Sequence, residues 1–229
     1  MDIHRYMAGA PAAAAARKPG RLQQVEGIDD ADVWLAKGVF AGTPESEAAW
    51  ESLKSHPGFE DTPQVFVWGK WHNQPRDTLG MACDGCPPYN YSGSTNTTVP
   101  MSPEVTAVRI RAQQLVEEQT NVGPVEFNYC LLNRYKNGLQ KIGAHSDSEK
   151  GLVRGRPIAC VSKGASRRFI FRHKATGRKV EILLEDGDLL VMGCAEGRNS
   201  QELWTHEIPQ QKKVKDMRIS LTFRCVRPA

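Results

Sequence analysis

Short strands fill the second half of the chain, and this pattern restricts the possible folds more than any other feature of the sequence. Segments rich in β-branched and aromatic residues alternate there with turn signals. They predict strands at Ile158–Ser162, Arg168–Arg172, Lys179–Leu184, Leu189–Met192 and Arg218–Arg224. Because helical patterns occur in the first half instead, we expect an α+β, mainly β fold. Its core would be a double-sheet barrel of the jelly-roll kind, with N-terminal helices packed outside.

Two helices are predicted in that first half. The segment Thr43-Pro44-Glu45 has the composition of an N-cap and a first turn, and predicts a helix that continues to about Leu53. Ser102-Pro103 is a second such start, and apolar residues at helical spacing continue from there to Glu118.

The composition indicates a single domain behind a mobile tail. The chain has 229 residues, which suffice for a core. Residues 1–25, with the alanine run Ala12–Ala16, predict a disordered tail, and residues 26–229 a folded domain. No apolar run approaches the roughly 20 residues that cross a bilayer, so we expect no membrane. The six cysteines do not suggest a disulfide framework in a chain of this length, which indicates an intracellular, reducing compartment. The basic tail leaves organelle targeting open.

A histidine and an aspartate two residues apart form the first candidate site. In extended backbone the side chains of His145 and Asp147 point to the same side. His206, distant in sequence but brought near by a barrel, would complete a two-histidine, one-carboxylate face, which suits iron(II) and leaves positions open for other ligands. The alternatives are a surface turn for the first pair and a structural role for His206.

The last predicted strand suggests an anion inside the barrel. Ile219, Leu221 and Phe223 share one face of this strand, whereas Arg218 and Arg224 lie on the other. Either this is an edge strand with solvated arginines, or the barrel binds an anion. A dicarboxylate would match the guanidinium groups, and Asn133 and Tyr135, which share a face of an earlier strand, could add hydrogen bonds.

The segment around residues 64–76 suits nucleic acid. Trp68 and Trp71 lie beside Lys70 and Arg76, a combination that favours stacking on bases with phosphate contacts alongside. The alternative is that both tryptophans belong to the core. The net charge of +4 and pI near 8.7 allow a nucleic-acid partner without requiring one. Cys83 and Cys86 have no second pair downstream, so zinc is not expected.

These motifs together resemble the AlkB family of iron(II)- and 2-oxoglutarate-dependent dioxygenases. The resemblance rests first on Asn133-x-Tyr135, His145-x-Asp147, His206 and the pair Arg218 and Arg224. Longer segments look like the branch that acts on duplex DNA, typified by the human nuclear homologue: 67–72, 133–136, 157–162, 169–174 and 221–224. The resemblance covers about residues 26 to 226 and implies a double-stranded β-helix.

The resemblance also implies roles for individual residues. It assigns iron to His145, Asp147 and His206, and 2-oxoglutarate to Asn133, Tyr135, Arg218 and Arg224, with O2 as co-substrate. Glu149 would face the damaged base. A nucleotide-recognition lid over residues 64–100 would contribute these substrate contacts: Trp68, Gly69, Lys70, Arg76, Tyr89, Tyr91 and Ser92. The basic hairpin, which comprises Arg167, Arg168, Arg172, Lys174, Arg178 and Lys179, would bind the strand.

Two positions depart from that branch. Ser146 and Ser148 replace charged residues common there, and Trp68 stands where phenylalanine is usual as a finger inserted into the base stack. The implied activity is oxidative demethylation of 1-methyladenine and 3-methylcytosine in DNA, which is direct repair that releases formaldehyde and succinate. The expected partner is duplex DNA with a flipped base, bound by a monomer, in the nucleus of a eukaryote or otherwise in the cytoplasm. RNA or single-stranded substrates, or a lapsed enzyme that only binds nucleic acid, are the alternatives.

Overall fold

The computed structural model describes residues 20–67, 69–87, 90–91, 94–95, 98–147, 151–193 and 198–227. Within these ranges the larger sheet has eight strands, in the order β1 (Gln23–Gln24), β2 (Val33–Ala36), β14 (Leu189–Met192), β11 (Ile158–Gly164), β16 (Arg218–Arg224), β9 (Tyr129–Tyr135), β5 (Asp77–Ala82) and β8 (Thr98–Pro100). The smaller sheet has four, in the order β10 (Ile142–His145), β15 (Trp204–Ile208), β12 (Arg167–His173) and β13 (Lys179–Leu184). Two strand pairs lie apart from both sheets: β3 (Gln64–Val67) with β4 (Lys70–Asn73), and β6 (Asn90–Tyr91) with β7 (Ser94–Thr95).

From β9 onward the chain crosses repeatedly between the two sheets. β9, β11, β14 and β16 belong to the larger sheet, and β10, β12, β13 and β15 to the smaller one. This alternation defines a double-stranded β-helix, so the predicted jelly-roll class is confirmed. The sheets share an apolar cluster, in which Ile158 and Leu190 of the larger sheet pack with Phe171, Trp204 and Ile208 of the smaller.

Helices α1 (Pro44–Leu53) and α2 (Pro103–Gln119) pack on the larger sheet, as predicted. Leu53 and Val108 join a second apolar cluster with the outward face of β16. The N-cap predicted at Ser102 is confirmed, because its side chain accepts a hydrogen bond from the backbone N–H of Val105. A short helix, α3 (Ser200–Leu203), was not predicted. Among the described residues no helix is both long and apolar enough to cross a membrane.

The last strand occupies a central position in the larger sheet. β16 pairs with β11 on one side and with β9 on the other, so its interpretation as an edge strand is wrong. Ile219, Leu221 and Phe223 pack against the helices, while Arg218 and Arg224 point into the barrel, where they are 1% and 3% exposed. The fold therefore places two arginines in the interior. Of the two interpretations of this strand, the one that remains is a barrel that binds an anion.

The folded domain begins earlier than predicted. Gln23–Gln24 pairs with β2, the backbone N–H of Gly20 donates to the carbonyl of Lys37, and Val25 is buried. The predicted boundary at residue 25 is therefore wrong, since β-pairing and burial of Val25 hold this segment on the barrel. Residues 1–19 lie outside the described ranges.

The predicted lid is not one continuous surface segment. Its strand β5 is buried along its whole length and pairs with β9 inside the larger sheet. β8 pairs with β5 in turn. The hairpin of β3 and β4 and the pair of β6 and β7 flank this strand in sequence, and within them β4 is exposed along its whole length.

Candidate metal and co-substrate site

Two neighbouring strands of the smaller sheet bring the predicted histidines together. His145 is the last residue of β10, and His206 lies directly opposite it in β15. Their ring centroids are 4.3 Å apart. Asp147 follows two residues after His145, and the possible ligand atoms of all three side chains lie within 4.8 Å of one another. The structure thus forms the two-histidine, one-carboxylate face expected from the sequence.

The hydrogen bonds orient these side chains toward a common point. Nδ1 of His145 is 2.9 Å from the carbonyl oxygen of Gly143. A carbonyl only accepts, so Nδ1 carries the proton and the Nε2 lone pair is available. This Nε2 is 3.7 Å from Oδ1 of Asp147, a buried oxygen without a hydrogen-bond partner among the described residues. A metal cation would satisfy this oxygen.

The protonation states also suit a divalent metal. Burial lowers the pKa of His145, and burial together with the neighbouring His145 lowers the pKa of His206 to about 3. Burial alone would raise the pKa of Asp147, but Arg224 and the two histidines hold it well below its usual range. At neutral pH the site therefore consists of one carboxylate and two neutral imidazoles, the forms that bind metal.

These shifts predict a pH dependence for the metal-free protein. A histidine in the unfolded chain binds a proton near pH 6.5, whereas His206 in the fold binds one only near pH 3. Between these values the unfolded state holds more protons, so the free energy of unfolding falls by a few kcal/mol as the pH is lowered. Urea titrations of metal-free protein from pH 7.5 to 4.5 measure this slope. His206→Gln should flatten it, and an equal slope in that variant would contradict the assignment.

Arg224 lies beside the metal ligands. Its Nη2 donates to Oδ2 of Asp147 at 2.8 Å, and both side chains are buried. This contact leaves Oδ1 directed toward the histidines. The resemblance implies 2-oxoglutarate as the partner of Arg224. In the structure the guanidinium of Arg224 instead bonds to the carboxylate of the metal ligand Asp147.

Arg218 forms the other end of the cavity. Its Nη2 donates to Oγ of Ser162 at 2.9 Å, and its guanidinium carbon is 5.6 Å from the ring centroid of Tyr135. Its Nε and Nη1 are buried and have no hydrogen-bond partner in the described part of the chain. A buried guanidinium that lacks an anion is costly, and a carboxylate would satisfy these donors bidentately.

One cavity connects the two ends. Its lining includes all seven residues predicted for iron and 2-oxoglutarate: Asn133, Tyr135, His145, Asp147, His206, Arg218 and Arg224. Alternation along β16 also places Ser220 and Thr222 on the same face as the arginines, but they were not assigned to the site from the sequence. The sequence reasoning also missed Ser162 and the apolar wall, which includes Leu131, Met192 and Ile208.

Arg76 belongs to this cavity and not to a surface lid. The side chain is 3% exposed, and its Nε donates to Oδ1 of Asn133 at 2.6 Å. The predicted phosphate contact is therefore wrong for this conformation, because the guanidinium is held inside the barrel wall by Asn133. Arg76 instead adds a third positive charge to the cavity.

The other substrate residues are only partly described. Gly69 has a φ of +73°, as the tight turn between β3 and β4 requires, and Lys70 is exposed. Trp71 is 60% exposed, so its interpretation as a core residue is wrong. Trp68, Tyr89, Ser92 and Glu149 lie outside the described residues, as does the side chain of Tyr91.

The basic hairpin of β12 and β13 contributes fewer surface charges than predicted. Arg167 is buried and donates to the carbonyls of Asn137, Gln140 and Pro209, so it is a structural residue. Arg168 pairs with Glu181. The rest of the set is exposed or partly exposed: Arg172, Lys174, Arg178 and Lys179.

Fold and site define an iron- and 2-oxoglutarate-dependent oxygenase. Residues 35–224 match the family model of the 2OG-Fe(II) oxygenase superfamily. The chain belongs to this superfamily and, by the relatives described next, to its AlkB family. It is accordingly a dioxygenase that uses Fe(II), 2-oxoglutarate and O2.

Several of the similar proteins carry names that refer to DNA. The chain is 40% identical to the DNA oxidative demethylase ALKBH2 of Mus musculus over 83% of this chain and 79% of that protein. It is 37% identical to the ALKBH2 of Homo sapiens over 81% of this chain and 70% of that protein. A solved structure, "The structure of OsALKBH1", has a TM-score of 0.52 at 18% identity, covers 85% of this chain and 98% of its own, and shows the same fold.

Proposed function

We propose that this chain is a DNA oxidative demethylase that restores N-alkylated bases, with 1-methyladenine and 3-methylcytosine as substrates. The observation that carries the proposal is the buried cavity. It has a metal-binding triad at one end and the unsatisfied guanidinium of Arg218 at the other, in a chain similar to named DNA oxidative demethylases. This intact triad argues against a lapsed enzyme that only binds nucleic acid.

The two ends of the cavity would bind different parts of 2-oxoglutarate. Arg218, with Tyr135 and Ser162 beside it, would bind the distal carboxylate of 2-oxoglutarate. Asn133, which accepts a hydrogen bond from Arg76, lines the same cavity as the metal ligands. The dicarboxylate would thus neutralise the buried positive charge.

The triad and its surroundings prepare the oxidation. Iron bound by His145, Asp147 and His206, together with 2-oxoglutarate and O2, supplies the oxidising chemistry. Arg224 holds the carboxylate of Asp147 in place, and Gly143 holds the ring of His145. The apolar wall, which includes Leu131, Met192 and Ile208, would limit the entry of water. The oxidised N-methyl group leaves as formaldehyde, while 2-oxoglutarate is converted to succinate and carbon dioxide.

DNA recognition would use the surface beside this cavity. Lys70 and Trp71 on the exposed strand β4 offer a charge and a stacking face. We assign Glu149, Tyr89, Tyr91 and Ser92 to the flipped base, with the carboxylate of Glu149 favouring the cationic lesions. The partner we propose is duplex DNA, bound by a monomer in the nucleus.

Formaldehyde release tests the proposal directly. Methylated duplex DNA, single-stranded DNA and RNA of the same sequence would be compared with and without iron and 2-oxoglutarate at one salt concentration, since phosphate contacts scale with ionic strength. We expect turnover on DNA that requires both cofactors. Turnover on RNA but not on DNA would contradict the assignment of DNA as the substrate. The absence of turnover on any methylated nucleic acid would contradict the proposed demethylation.

Trp68→Ala tests the duplex assignment. If the indole fills the gap left by a flipped base, its loss removes stacking worth about 1–3 kcal/mol. We therefore expect activity on duplex DNA to fall by about tenfold or more, while activity on single strands changes little. Trp71→Ala, at an exposed residue of β4, is the matched control and should affect both substrates alike. Equal losses on duplex and single strands for Trp68→Ala would remove the finger role.

A further inference from the structure

The fold holds the three metal ligands in different ways. His145 and His206 occupy opposite positions in the paired strands β10 and β15, so the strand ladder fixes both. Asp147 lies two residues beyond the end of β10 and belongs to no strand. Its position therefore depends on contacts made by side chains from other elements.

Gln201 holds the backbone of this aspartate. The N–H of Asp147 donates to Oε1 of Gln201 at 2.8 Å, and the two residues are 3% and 5% exposed. The amide nitrogen of Gln201 is itself held, because it lies 3.3 Å from Sδ of Met192 and 3.4 Å from Oγ of Ser200. Gln201 belongs to α3, which leads directly into the strand of His206. One side chain thus couples the aspartate to the element that precedes the second histidine.

Lys174 holds the same segment from the β12–β13 hairpin. Its ammonium donates to the carbonyl of Gln201 at 2.7 Å and to Oγ of Ser146 at 3.1 Å. Ser146 is the residue between His145 and Asp147. A cationic side chain at this position could not accept a hydrogen bond from Lys174, whereas the serine hydroxyl does. The serine at which this chain departs from the duplex-DNA branch therefore has a hydrogen-bond partner.

We propose that Gln201 and Lys174 are positioning residues that fix Asp147 in the geometry needed for metal binding. Arg224 orients the carboxylate, while Gln201 and Lys174 set the backbone from which it extends. Without these two side chains, the backbone of Asp147 would have to be ordered when the metal binds. The affinity for the metal would fall because binding would include the entropy cost of that ordering. Loss of such outer contacts reduces metal affinity by about 10–100-fold. The inference rests on the metal site proposed above and is independent of the DNA substrate.

The test measures Co(II) binding by the metal-free protein, by calorimetry and by the visible absorption of the bound ion. Gln201→Met keeps the length of the side chain but cannot accept the bond from Asp147, and we expect its Kd for Co(II) to rise by about 10–100-fold with an altered spectrum. Lys174→Met, on the exposed hairpin, should raise the Kd by a smaller factor. Ser146→Ala removes only one of the two bonds of Lys174, so it should raise the Kd by no more than that factor and add nothing to it in the double variant.

Gln119→Met is the matched control. Oε1 of Gln119 also accepts from a backbone N–H at 2.8 Å, that of Leu22, but Gln119 lies at the end of α2 and does not line the cavity. It should lower the melting temperature without changing the Kd for Co(II). An unchanged Kd for Co(II) in Gln201→Met overturns the proposal. If Gln201→Met does not fold, the proposal is overturned by an unchanged Kd in both Lys174→Met and Ser146→Ala. Failure of the unaltered protein to bind Co(II) would instead overturn the metal site itself.

Discussion

Asp147→Ala should reduce formaldehyde release to the level measured without enzyme. The substitution removes the only negatively charged ligand of the triad, which leaves two imidazoles that face one another. It also removes the buried carboxylate that forms an ion pair with Arg224. Breaking a buried ion pair by removal of one partner should cost about 3–5 kcal/mol of stability. Asp147 therefore contributes to the stability of the fold as well as to metal binding.

Asp147→Asn separates the two effects. The amide keeps the size of the side chain and can still accept a hydrogen bond from Arg224, so the melting temperature should fall less than in the alanine variant. Metal binding and turnover should still be lost, since a neutral amide is a much weaker ligand than a carboxylate. Formaldehyde release near the unaltered rate in either folded variant would exclude Asp147 from the site.

Arg218→Met should raise the concentration of 2-oxoglutarate needed for half-maximal activity. The substitution would remove the bidentate pair proposed with the distal carboxylate, a loss of about 2–5 kcal/mol, or roughly 30-fold or more in affinity. The same substitution should not destabilise the protein when 2-oxoglutarate is absent. In that state the guanidinium of Arg218 is buried with two donors unsatisfied, so Arg218→Met should leave the melting temperature unchanged or raise it. Calorimetric titration with 2-oxoglutarate and melting curves measure the two effects.

Arg167→Met provides the comparison for this prediction. Arg167 is also 1% exposed in the barrel wall, but its guanidinium is bonded to the carbonyls of Asn137, Gln140 and Pro209. Its loss should lower the melting temperature and leave the affinity for 2-oxoglutarate unchanged. Arg218→Lys should recover part of the affinity, because the charge remains but the fork does not. If Arg218→Met binds 2-oxoglutarate normally, another group holds the distal carboxylate.

Local patterns in the sequence determined the elements of this fold. The bounds of β13, β14 and β16 agree with prediction because alternation and turn residues act over a few positions. The start of α2 is predicted for the same reason, since Ser102 and Pro103 satisfy or remove N–H groups within one turn. The face shared by Arg218 and Arg224 and the side shared by His145 and Asp147 also follow from the period of extended backbone.

Only the tertiary structure decided which elements meet. The register between β10 and β15 sets His206 opposite His145, and pairing on both sides makes β16 central, although nothing local to either strand specifies its neighbours. Long-range contacts likewise place Arg76 against Asn133 inside the barrel, and Gln201 under the backbone of Asp147. The physical reason is that side-chain period and turn chemistry depend on adjacent residues, whereas pairing, burial and the position of a charge depend on what the rest of the chain packs beside them.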